Sequence, residues 1–219
     1  MTPLTPLKTI GTLLVAVLFP HCCLFCEWPG TVLCTRCSHK LDFCTQIEAP
    51  VYYPDLSLVA VCRFNQDSRR IIHTFKYRGI PAFGKRIAEL LFLHASLPSI
   101  DFITSVPPDP VRKKRRGFDH TQLIAQNLAT LLNKPYITTL KKNTQSGAQA
   151  KTNSRKERLK NAEHRFSLLP QLTVQQTLAH KKVLLVDDVC TTGSTLRECV
   201  YELQKLSLGC HCAVFCIRV

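Results

Sequence analysis

The thirteen residues Val183 to Thr195, VLLVDDVCTTGST, decide how the rest of this chain is read. An apolar run that suits a buried strand ends in two adjacent carboxylates, Asp187 and Asp188. A short loop of Thr191, Thr192, Gly193, Ser194 and Thr195 then leads into a helix-like segment. In an open α/β sheet, ligands collect beyond the carboxyl ends of the strands, where both features fall. The first-turn NH groups, the positive end of the helix dipole and the loop hydroxyls together make an anion site sized for one phosphate monoester. Gly193 lets the backbone approach it closely. Two carboxylates beside that site repel a second phosphate and suit ribose hydroxyls, directly or through Mg²⁺. The ligand that wants both is a ribose 5-phosphate. A P-loop is excluded, because no Gly-Lys-Ser/Thr follows a glycine-rich stretch anywhere in the chain.

Outward from this stretch, strand-like and helix-like segments alternate. Leu58 to Phe64, Ile100 to Val106, Pro135 to Leu140, Lys182 to Val189 and His211 to Ile217 read as strands. Gly84 to His94, Asp119 to Leu132 and Thr195 to Leu206 carry apolar residues at helical spacing, and Asp119 suits an N-cap. Such alternation predicts an α/β domain with a largely parallel sheet flanked by helices. The proline-bearing stretch IEAPVYYPDL sets a boundary near residue 50, giving a small head over 1–50 and the α/β domain over 51–219.

Six of the twelve cysteines lie between Cys22 and Cys44. Cys23 with Cys26 and Cys34 with Cys37 form two CxxC pairs separated by seven residues, a pattern that suits four thiolates around structural Zn²⁺ in a reducing cytosol. Cys22 is the alternative to Cys23, and His39 and Cys44 are spare candidates. Cys62, Cys199, Cys212 and Cys216 stand in apolar runs and read as buried hydrophobes. The apolar segment Ile10 to Phe19 is too short to span a bilayer and has no cleavage pattern, so it reads as a packed helix of a protein that is not membrane-embedded.

The net charge of +14 points to an anionic partner. Much of it lies between Ser105 and Arg165, with fourteen Lys or Arg against four Asp or Glu. The run Arg112, Lys113, Lys114, Arg115 and Arg116 reads as a basic loop able to attract a polyanion such as nucleic acid. Exposed aromatics for base stacking are few nearby: Phe118, Tyr136 and Phe166.

VLLVDDVCTTGST resembles the phosphoribosyl pyrophosphate (PRPP) signature of type I phosphoribosyltransferases. From FPHCCLFC at Phe19 to Cys26, through ITSVPPDPVRKKRRGFDHTQLIAQNLA at Ile103 to Ala129, to the final strand, the chain resembles the ComF/GntX family of competence-associated proteins. Asp119 and His120 stand where that family commonly has Asn and Gln, and Gln149, Arg158 and Asn161 resemble a further family constellation. The resemblance implies a type I phosphoribosyltransferase-like domain with an N-terminal zinc head. It also implies a cytoplasmic role in handling imported single-stranded DNA with a DNA-processing protein partner. Within the domain it places Val106 and Pro107 near the pyrophosphate, Asp187 and Asp188 near the ribose as the catalytic acids, and Thr191 to Thr195 around the 5-phosphate. Lys76 and Arg116 are candidates to cover the diphosphate. The alternative that it implies is an active Mg-dependent transferase moving phosphoribosyl from PRPP to a nucleobase-like acceptor.

Overall fold

The computed structural model describes residues 20–44, 56–143, 165–173 and 178–218. The chain divides into two compact units, Met1–Leu41 and Asp42–Val219. The first contains the short helix α1 (Thr35–Ser38) and a small buried set of Cys23, Val32, Leu33, Cys37 and Leu41. Within the described residues 20–41, so few apolar side chains cannot hold the segment by burial alone.

In the second unit, β1 (Leu58–Arg63), β2 (Phe102–Ser105), β5 (Lys182–Cys190) and β6 (Gly209–Ile217) form a sheet in the order β1-β6-β5-β2, with every neighbouring pair parallel. β3 (Leu140–Lys142) and β4 (Phe166–Leu168) make a separate antiparallel pair. The helices among its described residues are α2 (Gln66–Tyr77), α3 (Ala82–His94), α4 (Pro110–Arg116), α5 (His120–Leu132), α6 (Pro170–Thr173) and α7 (Ser194–Gln204).

The fold explains why β5 is apolar without alternation. It is flanked by β2 and β6 within the sheet and covered on both faces, so successive side chains are buried in turn. Val183 and Leu185 join a cluster with Leu196, Cys199, Val200 and Leu203 of α7. The alternate positions Leu184 and Val186 face the other way, toward the side where α5 packs on β2 and β5, and α3 on α5, β1 and β6. α3 and α5 approach closely at Gly84, where a Cβ would stand 2.9 Å from that of Leu123.

The structure corrects three local expectations. Gln66–Tyr77 carried no assignment from sequence yet is a full helix. Asn65 and Ser68 cap it reciprocally, at 2.9 Å from Ser68 N to Asn65 Oδ1 and 2.8 Å from Asn65 N to Ser68 Oγ, and Ile71, Ile72 and Phe75 anchor it. Pro135 to Leu140 is not one strand: Leu140 opens β3, and before it Tyr136 bridges to Ile103 while hydroxyl contacts from Thr139 to Thr104 (2.8 Å) and from Tyr136 to Ser105 (2.9 Å) pin the segment. The basic run expected as a loop is helix α4, because Asp109 accepts from the NH groups of Val111 and Arg112, Pro110 opens the first turn, and Gly117 at φ 78° closes it. Ile10 to Phe19 and Gln149, Arg158 and Asn161 lie outside the described residues.

Candidate functional site

Each unit carries one cluster of chemistry-bearing residues. In the first, the sulfurs of Cys23, Cys26, Cys34 and Cys37 all lie within 4.8 Å of one another. A tetrahedral site with metal–sulfur bonds near 2.3 Å has sulfur–sulfur edges of roughly 3.8 Å, and Cys26 and Cys34 are 3.6 Å apart. Two turns build the cluster. Glu27, in the left-handed region at φ 60°, closes the first knuckle with its NH on Cys23 O, and Cys34 caps α1 by accepting from Cys37 N at 3.4 Å. Burial raises the Cys23 thiol, but backbone donors at Cys26, Cys34 and Phe25 outweigh it and bring the thiol down to about 6. The donor set is therefore one that could hold a metal such as zinc. Cys22 is exposed, with its thiol directed to Pro20 O at 3.6 Å, so Cys23 and not Cys22 completes the cluster.

In the second unit the paired acids lie near the carboxyl end of β5, both buried. Strand parity sends them to opposite faces of the sheet. Asp187 shares a face with Val183 and Leu185, the side covered by α7. Asp188 shares a face with Leu184 and Val186, and there it meets Lys76 of α2 as an ion pair and His120 Nε2 of α5 at 3.3 Å. Burial and the neighbouring Asp188 push the Asp187 carboxyl well above the usual carboxylate range. Burial acts in the same direction on Asp188, but Lys76 and His120 overcome it and hold that carboxyl below the usual range. The two acids therefore differ in character: one keeps its proton longer, and the other is a fixed anion.

His120 is the residue that sequence reading set aside as a departure, and it sits at the centre of this arrangement. Arg116 Nη1 stands 3.2 Å from His120 Nδ1. A guanidinium can only donate, so Nδ1 must present its lone pair and the ring proton must sit on Nε2, directed at Asp188. Glutamine has the same polarity, with an amide NH₂ to donate to Asp188 and a carbonyl to accept from Arg116. His120→Gln is accordingly expected to preserve the Asp188 contact, and nitrogen-15 shifts of wild-type His120 to show a protonated Nε2. A proton found on Nδ1 would overturn this arrangement. Asp119 substitutes for Asn just as directly, since its Oδ1 caps α5 by accepting from Gln122 N at 3.0 Å.

Across from β5, the turn after β2 is held by Val106 N on Val186 O at 3.0 Å and by Thr121 Oγ1 on Val106 O at 2.8 Å, leaving Pro107 partly exposed beside the carboxyl end of β5. After β5, Gly193 at φ 83° opens α7 with no side-chain cap. Thr191 and Thr192 are exposed, Ser194 and Thr195 half-buried, and Thr192 Oγ1 lies 3.2 Å from Ser194 Oγ. The structure thus brings Lys76, Asp188, His120 and Arg116 into one chain of contacts. Arg112, Lys113, Lys114 and Arg115 remain on the exposed side of α4. Lys113 also reaches Asp119, at 3.6 Å.

Residues 114–218 match the family model of the phosphoribosyl transferase domain. Competence protein F of Haemophilus influenzae is 30% identical over 190 residues, covering 80% of each chain. DNA utilization protein YhgH of Escherichia coli K12 is 28% identical over 214 residues, covering 85% of this chain and 92% of its own. Among solved structures, the glutamine PRPP amidotransferase of B. subtilis complexed with ADP and GMP overlaps 60% of this chain and 24% of its own, at 24% identity and a TM-score of 0.40.

Proposed function

We propose, because this chain belongs to the ComF/GntX family, that it is a competence-associated DNA-utilisation protein whose phosphoribosyltransferase domain binds PRPP. The observation that carries the reading is the acid pair at the carboxyl end of β5 leading through Thr191 and Thr192 into a glycine-opened helix. The NH groups of the first turn of α7 and the hydroxyls from Thr191 to Thr195 take the 5-phosphate. Asp187 and Asp188 take the ribose hydroxyls with Mg²⁺, and the turn at Val106 and Pro107 faces the pyrophosphate. Lys76 serves the site through Asp188 and not as a free cover for the diphosphate. Arg116 likewise serves through His120.

The exposed cations of α4 supply a sequence-independent attraction for imported single-stranded DNA, weakening as salt rises. Cys23, Cys26, Cys34 and Cys37 hold a structural zinc. A four-thiolate site such as that of Cys23, Cys26, Cys34 and Cys37 needs reduced cysteines, which supports a cytoplasmic setting. No helix among the described residues is long and apolar enough to cross a membrane. A DNA-processing protein is the expected partner.

Calorimetric titration with PRPP, with and without Mg²⁺, tests the pocket on wild type and on Asp187→Asn. Metal-assisted binding by the wild type, reduced at least tenfold in the variant (about 1.4 kcal/mol), is the expected result. A folded wild type that takes no PRPP in either condition would remove the reading.

A further inference from the structure

The aromatic residues that the sequence offered for base stacking are poorly placed for it. Phe166 is buried, Phe118 packs on Phe75 with ring centroids 5.7 Å apart, and the Tyr136 hydroxyl is tied to Ser105. The fold supplies a different one. Tyr77, at the end of α2, leaves 54% of its surface exposed. One turn earlier on the same helix the exposed His73 ring lies 4.8 Å from it, and the Arg116 guanidinium stands 5.2 Å over the Tyr77 ring. Arg116 in turn contacts His120, and His120 contacts Asp188, while Lys76, next to Tyr77 in sequence, pairs with the same Asp188. An open aromatic surface thus begins one side chain away from the group that holds Asp188, with Arg116 against it and exposed Arg78 next in sequence.

We propose that Tyr77 and His73, with Arg116 against them, seat an unpaired nucleobase beside the acid pair. Aromatic rings and guanidinium planes stack on the π-face that every base presents, and adjoining cations hold the phosphate that accompanies it. Duplex DNA hides those faces, so the surface selects single strands or free nucleotides. The two sources differ in consequence. A base within a strand makes this a DNA-holding surface, whereas a free base or nucleotide makes it the acceptor seat of the domain. The placement beside a ribose-phosphate pocket rests on the reading in the preceding section. The stacking itself does not.

The test uses the full chain as wild type, Tyr77→Ala and Tyr77→Phe, with circular dichroism confirming the fold of each. Fluorescence anisotropy follows binding of an oligothymidylate, of an abasic strand with the same number of phosphates, and of a nucleoside monophosphate. The expected result is about a tenfold loss of affinity in Tyr77→Ala, the effect of one stacked base, with Tyr77→Phe close to wild type and the abasic strand indifferent to either change. Loss confined to the oligothymidylate identifies a strand as the source, and loss confined to the monophosphate identifies a free base. Unchanged binding of both base-bearing ligands overturns the proposal, as does an equal loss on the abasic strand. PRPP titration of Tyr77→Ala keeps the two readings apart: an intact PRPP response with lost base binding supports the seat, and a missing PRPP response in wild type counts against the pocket alone.

Discussion

Changing Lys76 to Met is expected to lower the unfolding free energy at pH 7 by about 3 kcal/mol, the cost of leaving one member of a buried ion pair without its counter-charge. Asp188 is nearly inaccessible, with 6% of its side chain exposed, and Lys76 is the stronger of the two groups that offset its burial. His120 remains in the variant and keeps its contact with Asp188, so it recovers part of the loss. The pH dependence carries a sign that can be checked. In the wild type the folded value of Asp188 lies below the unfolded one, so its contribution is present above about pH 4 and is lost as pH falls through the folded value. In Lys76→Met burial prevails and lifts the folded value above the unfolded one. The carboxylate then costs stability at neutral pH, and that cost fades on acidification. Urea denaturation should therefore show the wild-type advantage at pH 7 shrinking toward pH 4. Asp188→Asn added to the variant should restore much of the loss. Equal midpoints at pH 7 would mean that Lys76 contributes nothing through Asp188.

Zinc removal should have the second large effect, and it should be confined to one unit. The described part of the first unit buries five apolar or sulfur-bearing side chains, Cys23, Val32, Leu33, Cys37 and Leu41. Burial on that scale does not offset the conformational entropy of ordering the segment. A four-thiolate zinc site contributes about 10–16 kcal/mol of apparent binding free energy in zinc-finger peptides, and that is ample to fold the unit. Protein purified without chelator is expected to carry one zinc per chain by elemental analysis. Chelation, or Cys26→Ser, should make 20–41 sensitive to protease while the fragment from Asp42 onward stays resistant, since the two units form separate compact bodies. A metal-free protein with the same digestion pattern would show that the thiols hold the unit by themselves.

Much of this architecture was legible because its signals are local. β5 announces itself by four apolar residues, Val183 to Val186, and then two acids, and α5 by Asp119 as cap and its apolar spacing. The CxxC pairs stand out by spacing alone, whereas the choice between Cys22 and Cys23 needed the structure, where Cys22 is exposed. What stayed hidden depends on distant partners. α2 begins with Gln66, Asp67, Ser68, Arg69 and Arg70, a polar opening that conceals the apolar face of Ile71, Ile72 and Phe75. With α2 unassigned, neither the pairing of Lys76 with Asp188 nor the exposure of Tyr77 could be read. The charge run from Arg112 to Arg116 suggested a loop because like charges repel. One carboxylate at Asp109, one proline and one left-handed glycine were enough to make it helical. His120 looked like a lost glutamine until Arg116 and Asp188 defined what its two nitrogens must do.

The sheet order has a consequence for how the protein is made. Apart from an antiparallel bridge between Phe43 and Cys62, the described partner of β1 is β6, and Leu58 finds Cys212, 212 − 58 = 154 residues further along. At translation rates of about 5–20 residues per second, β1 waits roughly 8 to 30 seconds for its partner to be synthesised. Through that interval an apolar strand, Leu58 to Cys62, has only the short segment around Phe43 to pair with among the described residues, and parallel pairing over so long a separation is intrinsically slow. The nascent chain is therefore a natural client for ribosome-associated chaperones, and substitutions in β6 should lower the yield of soluble protein before they alter any ligand affinity.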